Sequence, residues 1–484
     1  MKVTADMSQI KPVTTTRPWR FRPAERRTLL ILGDLVAGGL ALAISIYFWA
    51  IGDQWLGVSW TFIQERIPVW FFLLPFIWLL LLLELYDVQR AGSWKSTLRG
   101  VGTAVVMGIG LYLVLFFYFT DPPRSLLPRR GVAAFIIVAP ILTLFWRWIY
   151  IRLFTTPQFM RRMLLIGAGE TGEAILRILK ELWPPPFYLV GLIDDDPEKQ
   201  NVEVSGQLVL GSSANLTAII QEQKISDVLV AISGEMQGQM FQALLDAQEM
   251  GVEVTRMPVL YEELLDRVPI EHLDANWILR SFVDDARVSG FYVLGKRLMD
   301  ILGGLFGMLI LLLFLPFVSL ATLLDSGWPI FYSQSRLGRG GRPYNIIKFR
   351  TMIQNAEADG RPQWAKEDDE RATRIGRFLR KTHIDEIPQF INVLRGEMSL
   401  VGPRSERPEL VQHFQKHVPF YRARLLVKPG ITGWAQVNFG YASTIDETKI
   451  KLEYDLYYIK HRNLLMDIII LLRTPWTIFG FRGR

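Results

Sequence analysis

The sequence has no cysteine and only five histidines among its 484 residues. Without cysteine, the chain cannot form a disulfide bond, a thiolate zinc site or a cysteine nucleophile. The five histidines are scattered along the chain, which argues against a histidine-rich metal centre. Internal repeats and low-complexity tracts are also absent from the sequence. None of these absences assigns the chain to a cellular compartment.

Apolar side chains, by contrast, are abundant. They make up 50% of the chain, and the mean hydropathy is +0.21. This is more than an ordinary soluble enzyme of this size contains, so we expect membrane segments. The formal net charge is +7, and many cations flank apolar stretches. Anionic lipid headgroups and phosphorylated substrates explain that arrangement more simply than nucleic acid does. We therefore predict contacts with membrane lipids and no nucleic-acid partner.

Four apolar stretches within residues 28–153 are each long enough to cross a hydrocarbon core of roughly 30 Å. They cover residues 28–51, 67–85, 100–119 and 131–153. A basic tail, residues 1–27, precedes them, and further cations follow the second and fourth stretches. By the positive-inside rule these cationic regions should face the cytoplasm, although the arginines of residues 120–130 argue for the opposite orientation. The tail and the even number of spans favour the first orientation.

Residues 158–285 show short strands that alternate with helical stretches, which predicts a parallel α/β sheet. Gly167, Gly169 and Gly172 form a G-x-G-x-x-G turn between a strand and a helix. Dinucleotide-binding folds use this order, so the three glycines are candidate binding residues for NAD or another nucleotide. The acidic residues 194–196 lie somewhat farther along than is usual for such folds. A scaffold with a role in regulation or assembly remains the alternative.

The third region, residues 290–484, opens with an apolar segment, residues 298–324, that is long enough to span a membrane. Within it, Pro316 removes one backbone hydrogen bond and predicts a kink. A basic glycine-rich stretch, a strand and several helical segments follow, so we expect a mainly helical domain.

Two adjacent carboxylates, Asp385 and Glu386, precede Pro388 in this third region. Because proline is tolerated only near the first turn of a helix, we predict that a helix begins close to Asp385 and ends at Gly396. Thr382 and Asp385 would form its capping box. Adjacent side chains on a helix diverge by about 100°, so one carboxylate could attack phosphorus while the other holds a divalent metal. The alternative is that both simply complement the dipole at the helix N-terminus.

Several cations occur in segments that otherwise look packed. Phosphate recognition is a common use for such side chains. The candidate phosphate-binding residues are Lys348, Arg350, Arg380 and Arg404.

Residues 296–474 resemble the bacterial polyprenyl-phosphate hexose-1-phosphate transferases, which are monotopic phosphoglycosyl transferases. The matching stretches, in order, are Lys296–Asp300, Lys348–Met352, Asp385–Gln389, Ser399–Arg404 and Lys428–Trp434. The N-terminal spans and the α/β domain resemble the large form of this family, typified by the undecaprenyl-phosphate glucose or galactose phosphotransferases. One departure is Ser405, where the family often has a second proline after Gly-Pro-Arg.

The resemblance implies a reaction in which a UDP-sugar donates sugar-1-phosphate to undecaprenyl phosphate and releases UMP. It makes Asp385 the nucleophile of a phospho-aspartyl intermediate and Glu386 a ligand of Mg²⁺, with both carboxylates as candidate metal ligands. Arg380 and Arg404 would contact phosphate, together with Lys348 and Arg350. The resemblance also implies that residues 298–324 form a re-entrant helix.

The predicted fold class is therefore a transmembrane helical bundle, an α/β Rossmann-like domain and a mainly helical monotopic catalytic domain. The protein would lie in the bacterial inner membrane as a multi-pass protein, with its catalytic domain facing the cytoplasm. Whether it forms a homodimer, and which sugar it transfers, are left open.

Two alternative functions remain. A membrane-tethered NAD-dependent nucleotide-sugar dehydratase would need a catalytic Tyr-x-x-x-Lys on a helix. Tyr344 and Lys348 lie in strand-like sequence, and Tyr292 and Lys296 lie outside the α/β domain, so neither pair suits that chemistry. A non-enzymatic membrane assembly protein would not need Asp385.

Overall fold

The computed structural model describes residues 23–118, 128–154, 160–182, 185–232, 234, 236, 238–272, 288–353, 371–440 and 444–478. The chain divides into two compact units, residues 1–264 and 265–484. Most of the predicted basic tail and most of the loop at residues 120–130 lie outside the described residues.

Six helices, three of them long and apolar, make up the described residues at the start of the first unit. The helices are α1 (Pro23–Ile51), α2 (Trp60–Arg66), α3 (Leu74–Leu81), α4 (Val88–Ala91), α5 (Trp94–Tyr118) and α6 (Arg129–Phe154). Among the described residues, α1, α5 and α6 are each long and apolar enough to cross a membrane. A buried ion pair joins α1 to α6, because Arg147 Nη2 donates to Asp34 Oδ2 at 2.6 Å and both side chains are fully buried. Sequence reasoning did not single out this pair.

The second predicted span, residues 67–85, is not one continuous helix. A bend of 100° separates α2 from the helical segment Val69–Leu81, and that segment begins as a 3₁₀ turn before α3. Pro68 explains the break, because it has no N–H to donate and disfavours helical geometry at the residue before it. With α1, α5 and α6, the first unit reaches the predicted even number of spans only if the bent pair counts as one span.

The parallel sheet predicted for residues 158–285 is present. Its strands are β1 (Arg162–Ile166), β2 (Tyr188–Ile193), β3 (Glu203–Val204), β4 (Gln207–Gly211), β5 (Asp227–Val230) and β6 (Glu253–Arg256). The strand order is β3-β4-β2-β1-β5-β6, and only β3 runs antiparallel to its neighbour. The accompanying helices are α7 (Glu170–Glu181), α8 (Leu216–Gln223), α9 (Gly238–Glu249) and α10 (Met257–Leu265).

The second unit is built on α11, a continuous helix over Gly290–Ser326 that contains Pro316. Two small sheets follow: the antiparallel β7 (Phe331–Leu337) and β8 (Pro343–Phe349), and the parallel β9 (Ser399–Val401) and β10 (Gly430–Thr432). The remaining helices are α12 (Arg374–Lys381), α13 (Phe390–Arg395), α14 (Pro408–Phe414), α15 (Trp434–Asn438), α16 (Ile445–His461) and α17 (Leu464–Ile478). The main core of this unit lies among α13 to α17 and β9.

At 37 residues, α11 is about 55 Å long. Both of its ends contact the same unit: Lys296 Nζ donates to the Val401 carbonyl at 2.9 Å, and Asp325 Oδ2 accepts from the Ile375 N–H at 3.0 Å. The opposite face of the helix carries exposed leucine and phenylalanine side chains along its length. The re-entrant path of residues 298–324 stays a prediction.

Candidate active site

Three separate segments bring the predicted carboxylates and two of the predicted cations together. Asp385 and Glu386 lie on a 3₁₀ turn, Ile384–Gln389, that leads directly into α13. Lys348 extends from β8, and Arg404 follows β9. Lys348 Nζ and Arg404 Nη2 each lie 2.7 Å from Glu386 Oε1.

The predicted capping box is wrong. Thr382 ends α12, and its hydroxyl donates to the Phe378 carbonyl at 2.9 Å. The preceding helix therefore uses the group that would have capped the next one. His383 caps the turn from a left-handed conformation (φ 57°) without a side-chain hydrogen bond. The predicted end of the helix is confirmed, because Gly396 adopts the left-handed C-cap conformation with φ 80°.

Glu386 is the tethered carboxylate of the pair. It is only 9% exposed, and Arg404 Nη1 also approaches its second oxygen, Oε2, at 3.4 Å. Burial alone would raise the pKa of Glu386, but Arg404 and Lys348 outweigh burial and hold that pKa well below its ordinary value. Glu386 is therefore ionised at neutral pH.

Asp385 is the free carboxylate. It is 7% exposed, and none of the described residues donates a hydrogen bond to it. Burial raises the pKa of Asp385 to about 6; Lys348 opposes this shift, and the charge of Glu386 adds to it. The two buried neighbours thus differ in their contacts: cations hold Glu386, whereas Asp385 has no such partner among the described residues.

The other two predicted cations lie elsewhere in the structure. Arg350 donates through Nη2 to the carbonyls of Ser326 and Gly327, so it closes the C-terminal end of α11 rather than contacting the carboxylate pair. Helix ends leave carbonyls without partners, which explains this placement. Arg380 lies on α12, and its side chain makes no hydrogen bond or ion pair within the part of the chain that the structure describes.

Sequence reasoning missed the residues that hold Arg404 in place. Arg424 Nη2 donates to the Arg404 carbonyl at 3.0 Å and to Asp455 Oδ2 at 2.8 Å, and both Arg424 and Asp455 are buried. One signal could have revealed them: Asp455 occupies an apolar position of α16 between the buried Leu452 and Leu456.

The carboxylate pair has the donor chemistry for Mg²⁺. Among the described residues no group of three histidine or carboxylate side chains could hold a metal by itself. Mg²⁺, however, is commonly held by one or two carboxylates together with substrate phosphates and water. Asp385 and Glu386 fit that mode of binding, in which the substrate supplies the remaining ligands.

The glycine turn between β1 and α7 has the backbone geometry of a dinucleotide-binding motif, but the charge beside it does not suit a bound diphosphate. Gly167 has φ 102°, and a Cβ on Gly172 would lie 2.0 Å from the Gly167 carbonyl oxygen, so both positions require glycine. A Cβ on Gly169 would meet nothing within 4 Å. Asp194 Oδ2 accepts the Ala168 N–H at 2.7 Å, and Glu170 opens α7. Lys199 Nζ lies 3.6 Å from Asp194, so it is the Glu170 carboxylate that disfavours a diphosphate at this helix N-terminus.

Comparisons with known proteins give two family matches in different parts of the chain. Residues 291–481 match the family model for bacterial sugar transferases, and residues 82–258 match a model for a CoA-binding domain. A solved structure, UDP-D-quinovosamine 4-dehydrogenase from Vibrio fischeri, aligns with 24% of the chain and 96% of its own length at 23% identity and a TM-score of 0.20.

Among curated proteins, the chain is 36% identical over 406 residues to a UDP-N-acetylgalactosamine-undecaprenyl-phosphate N-acetylgalactosaminephosphotransferase of Aeromonas hydrophila. That match covers 83% of the chain and 90% of the relative. A UDP-glucose:undecaprenyl-phosphate glucose-1-phosphate transferase of Escherichia coli K12 is 40% identical over 200 residues, or 40% of the chain and 42% of the relative. An enzyme of the same name from Xanthomonas campestris is 30% identical over 281 residues, with 56% of each protein covered.

Proposed function

The chain belongs to the bacterial polyprenyl-phosphate hexose-1-phosphate transferases, and we propose that it moves a sugar-1-phosphate from a UDP-hexose to undecaprenyl phosphate through a phospho-aspartyl intermediate on Asp385. The difference between the two carboxylates is the observation that carries this proposal. Glu386 is held by Lys348 and Arg404, whereas the buried Asp385 carboxylate is not held by a hydrogen bond from any described residue. A poorly solvated carboxylate with a pKa of about 6 is ionised at neutral pH and can act as a nucleophile.

The reaction balances in two displacements at one phosphorus. An Asp385 carboxylate oxygen attacks the phosphorus that carries the sugar, and the bond from that phosphorus to the UMP oxygen breaks. An oxygen of undecaprenyl phosphate then attacks the same phosphorus and displaces the Asp385 carboxylate. The products are UMP and undecaprenyl-diphosphate-hexose, and no net proton transfer is needed.

The remaining residues stabilise charge. Lys348 and Arg404, which hold Glu386 in place, would also contact the phosphate oxygens of the substrate. Glu386, with Asp385, would hold Mg²⁺, which when bound neutralises the diphosphate and aids the departure of UMP. Because UDP-sugars are cytoplasmic, we place the site on the cytoplasmic side of the inner membrane. The lipid-linked sugar would begin the synthesis of an exopolysaccharide, capsule or O-antigen.

No ligand is assigned to the α/β sheet of the first unit. The family matches suggest CoA, and the glycine turn suggests NAD or another nucleotide. CoA and NAD both carry a diphosphate, which the Glu170 carboxylate at the start of α7 disfavours.

The test is UMP release from purified protein offered a panel of UDP-sugars, with and without undecaprenyl phosphate. Wild-type protein should release about one UMP per active site without acceptor and carry labelled sugar phosphate. Asp385→Asn should do neither, and Glu409→Gln, which changes an exposed carboxylate, should behave as wild type. Rapid acceptor-dependent UMP release by Asp385→Asn would rule out the covalent mechanism.

A further inference from the structure

A group of cations surrounds the end of α13, apart from the carboxylate pair. Arg297 donates to the carbonyls of Val393 and Leu394 at 3.0 and 2.9 Å. A Cβ built on Gly396 would lie 3.5 Å from Lys428 Nζ and 3.7 Å from Arg297 Nη1. Two positive charges therefore flank the same point of the backbone, where each repels the other.

Lys428 forms no ion pair with an acid among the described residues. Burial lowers the pKa of Lys428, and the charges of Arg297 and Arg339 lower it further, while Asp300 acts in the opposite direction. The Asp300 carboxylate is already engaged, because its Oδ1 accepts from the Ser399 hydroxyl and the Leu400 N–H. In the part of the chain that the structure describes, Lys428 Nζ has no hydrogen-bond acceptor. Such a convergence of cations favours a bound anion.

A fourth cation extends the cluster towards α17. Burial lowers the pKa of Arg462 and Arg339 lowers it further, while Tyr292, Tyr458 and Asp467 act in the opposite direction. Arg339 itself is exposed on the turn between β7 and β8.

An exposed apolar surface adjoins the cations. It is formed by the first turns of α11 and α17, which meet where Gly295 faces Leu464. Phe291 is 86% exposed and Leu465 is 67% exposed. Arg297 lies on α11 six residues after Phe291, and Arg462 lies two residues before the start of α17. Apolar side chains bordered by cations are typical of a surface that rests in the headgroup region of an anionic bilayer.

We propose that Arg297, Arg339, Lys428 and Arg462 bind the phosphodiester headgroup of an anionic phospholipid, whose acyl chains cover the exposed start of α11 and α17. This site is separate from the transfer reaction, since it uses neither Asp385 nor a nucleotide sugar. Its lipid would fix the second unit at the membrane surface.

The proposal is tested by binding of short-chain lipids to full-length protein in a non-ionic detergent. Dioctanoyl phosphatidylglycerol should bind, and dioctanoyl phosphatidylcholine should not. Lys428→Gln and Arg339→Gln should each weaken phosphatidylglycerol binding about fivefold, since one cation near an anionic lipid contributes about 1 kcal/mol. Neither side chain makes a hydrogen bond or ion pair with another described residue. Lys416→Gln, at an exposed site, supplies the matched change of charge and should bind as wild type.

Three outcomes would overturn the proposal. Equal phosphatidylglycerol binding by Lys428→Gln and wild type would mean that these cations only complement the end of α13. Inorganic phosphate that competes as well as phosphatidylglycerol would indicate a site for free anions. In phosphatidylcholine nanodiscs, a KM for undecaprenyl phosphate raised severalfold by Lys428→Gln would instead assign the cluster to the acceptor substrate. The lipid and phosphate binding measurements do not depend on enzyme activity, so they test this proposal even if the transfer reaction differs from the one proposed.

Discussion

Lys348 Nζ lies 2.7 Å from Glu386 Oε1, the same oxygen that accepts from Arg404 Nη2. Both cations therefore stabilise one buried negative charge. Removing one partner of a buried ion pair commonly costs 3–5 kcal/mol, because the charge left behind remains out of water.

Lys348→Met should therefore destabilise the protein, although Arg404 still partners Glu386 and limits the loss. We expect the midpoint of thermal unfolding in detergent to fall by about 5 °C. Lys381→Met, at an exposed position, should leave the midpoint unchanged. The double variant Lys348→Met/Glu386→Gln should lose less than the sum of the two single changes. Additive losses would mean that this contact carries no coupling energy.

The first half-reaction should depend on the ionisation of Asp385. The pKa of Asp385 is raised to about 6, mainly by burial, so the attacking carboxylate disappears as the pH falls through 6. The rate constant of the UMP burst at limiting UDP-sugar should fall about tenfold per pH unit below 6 and level off above 7. Measuring the burst without acceptor excludes the titration of undecaprenyl phosphate.

Glu386→Gln supplies the internal check on this pH dependence. The charge of Glu386 contributes to the raised pKa of Asp385, so its removal should move the acidic limb of the residual activity to lower pH. An unchanged limb would show that another group controls the profile.

The sequence was sufficient to predict features that local chemistry decides. Gly396 ends its helix because a left-handed position favours glycine, and the same holds for Gly167, whereas Gly172 is glycine because the Gly167 carbonyl leaves no room for a Cβ. The sequence indicated four candidate phosphate-binding cations, but it did not show that Lys348 and Arg404 are the two that contact Glu386. The residues next to them in sequence do not distinguish these two cations from Arg350. Arg350 instead contacts the end of α11, more than twenty residues away in sequence.

Where the predictions failed or missed a contact, a neighbouring segment competed for the same group, a proline interrupted the helix, or only the tertiary fold brought the residues together. Thr382 could cap the helix that follows it, but the helix that precedes it takes its hydroxyl. The stretch at residues 67–85 has the length and hydropathy of a span, yet Pro68 and the bend it imposes outweigh composition. The contact between Arg424 and Asp455 joins positions that only the tertiary fold brings together.

The contact between α11 and α13 should be sensitive to a single methyl group. A Cβ on Gly307 would lie 2.2 Å from Phe390 Cγ, and that ring atom is close to the backbone and cannot swing away. Phe390 directly follows the turn that carries Asp385 and Glu386. Gly307→Ala should therefore lower the unfolding midpoint and the UMP burst together, since overpacking costs about 1–3 kcal/mol.

Gly290→Ala is the matched control, because a Cβ at the start of the same helix meets nothing within 4 Å. In a helix this change alone gains up to about 1 kcal/mol. A Gly307→Ala variant as stable and active as Gly290→Ala would show that α11 does not pack as closely as described.

The absence of cysteine makes the path of α11 directly testable, because each introduced cysteine is the only thiol in the chain. The helix contacts the same unit through Lys296 near one end and Asp325 near the other. An upright crossing would draw this polar unit into the bilayer core, so we expect both ends on the cytoplasmic side. In intact spheroplasts, an impermeant maleimide should label Val58→Cys but neither Gly290→Cys nor Ser335→Cys. Both should react after permeabilisation, and labelling of only one of them from outside would mean that α11 crosses the membrane.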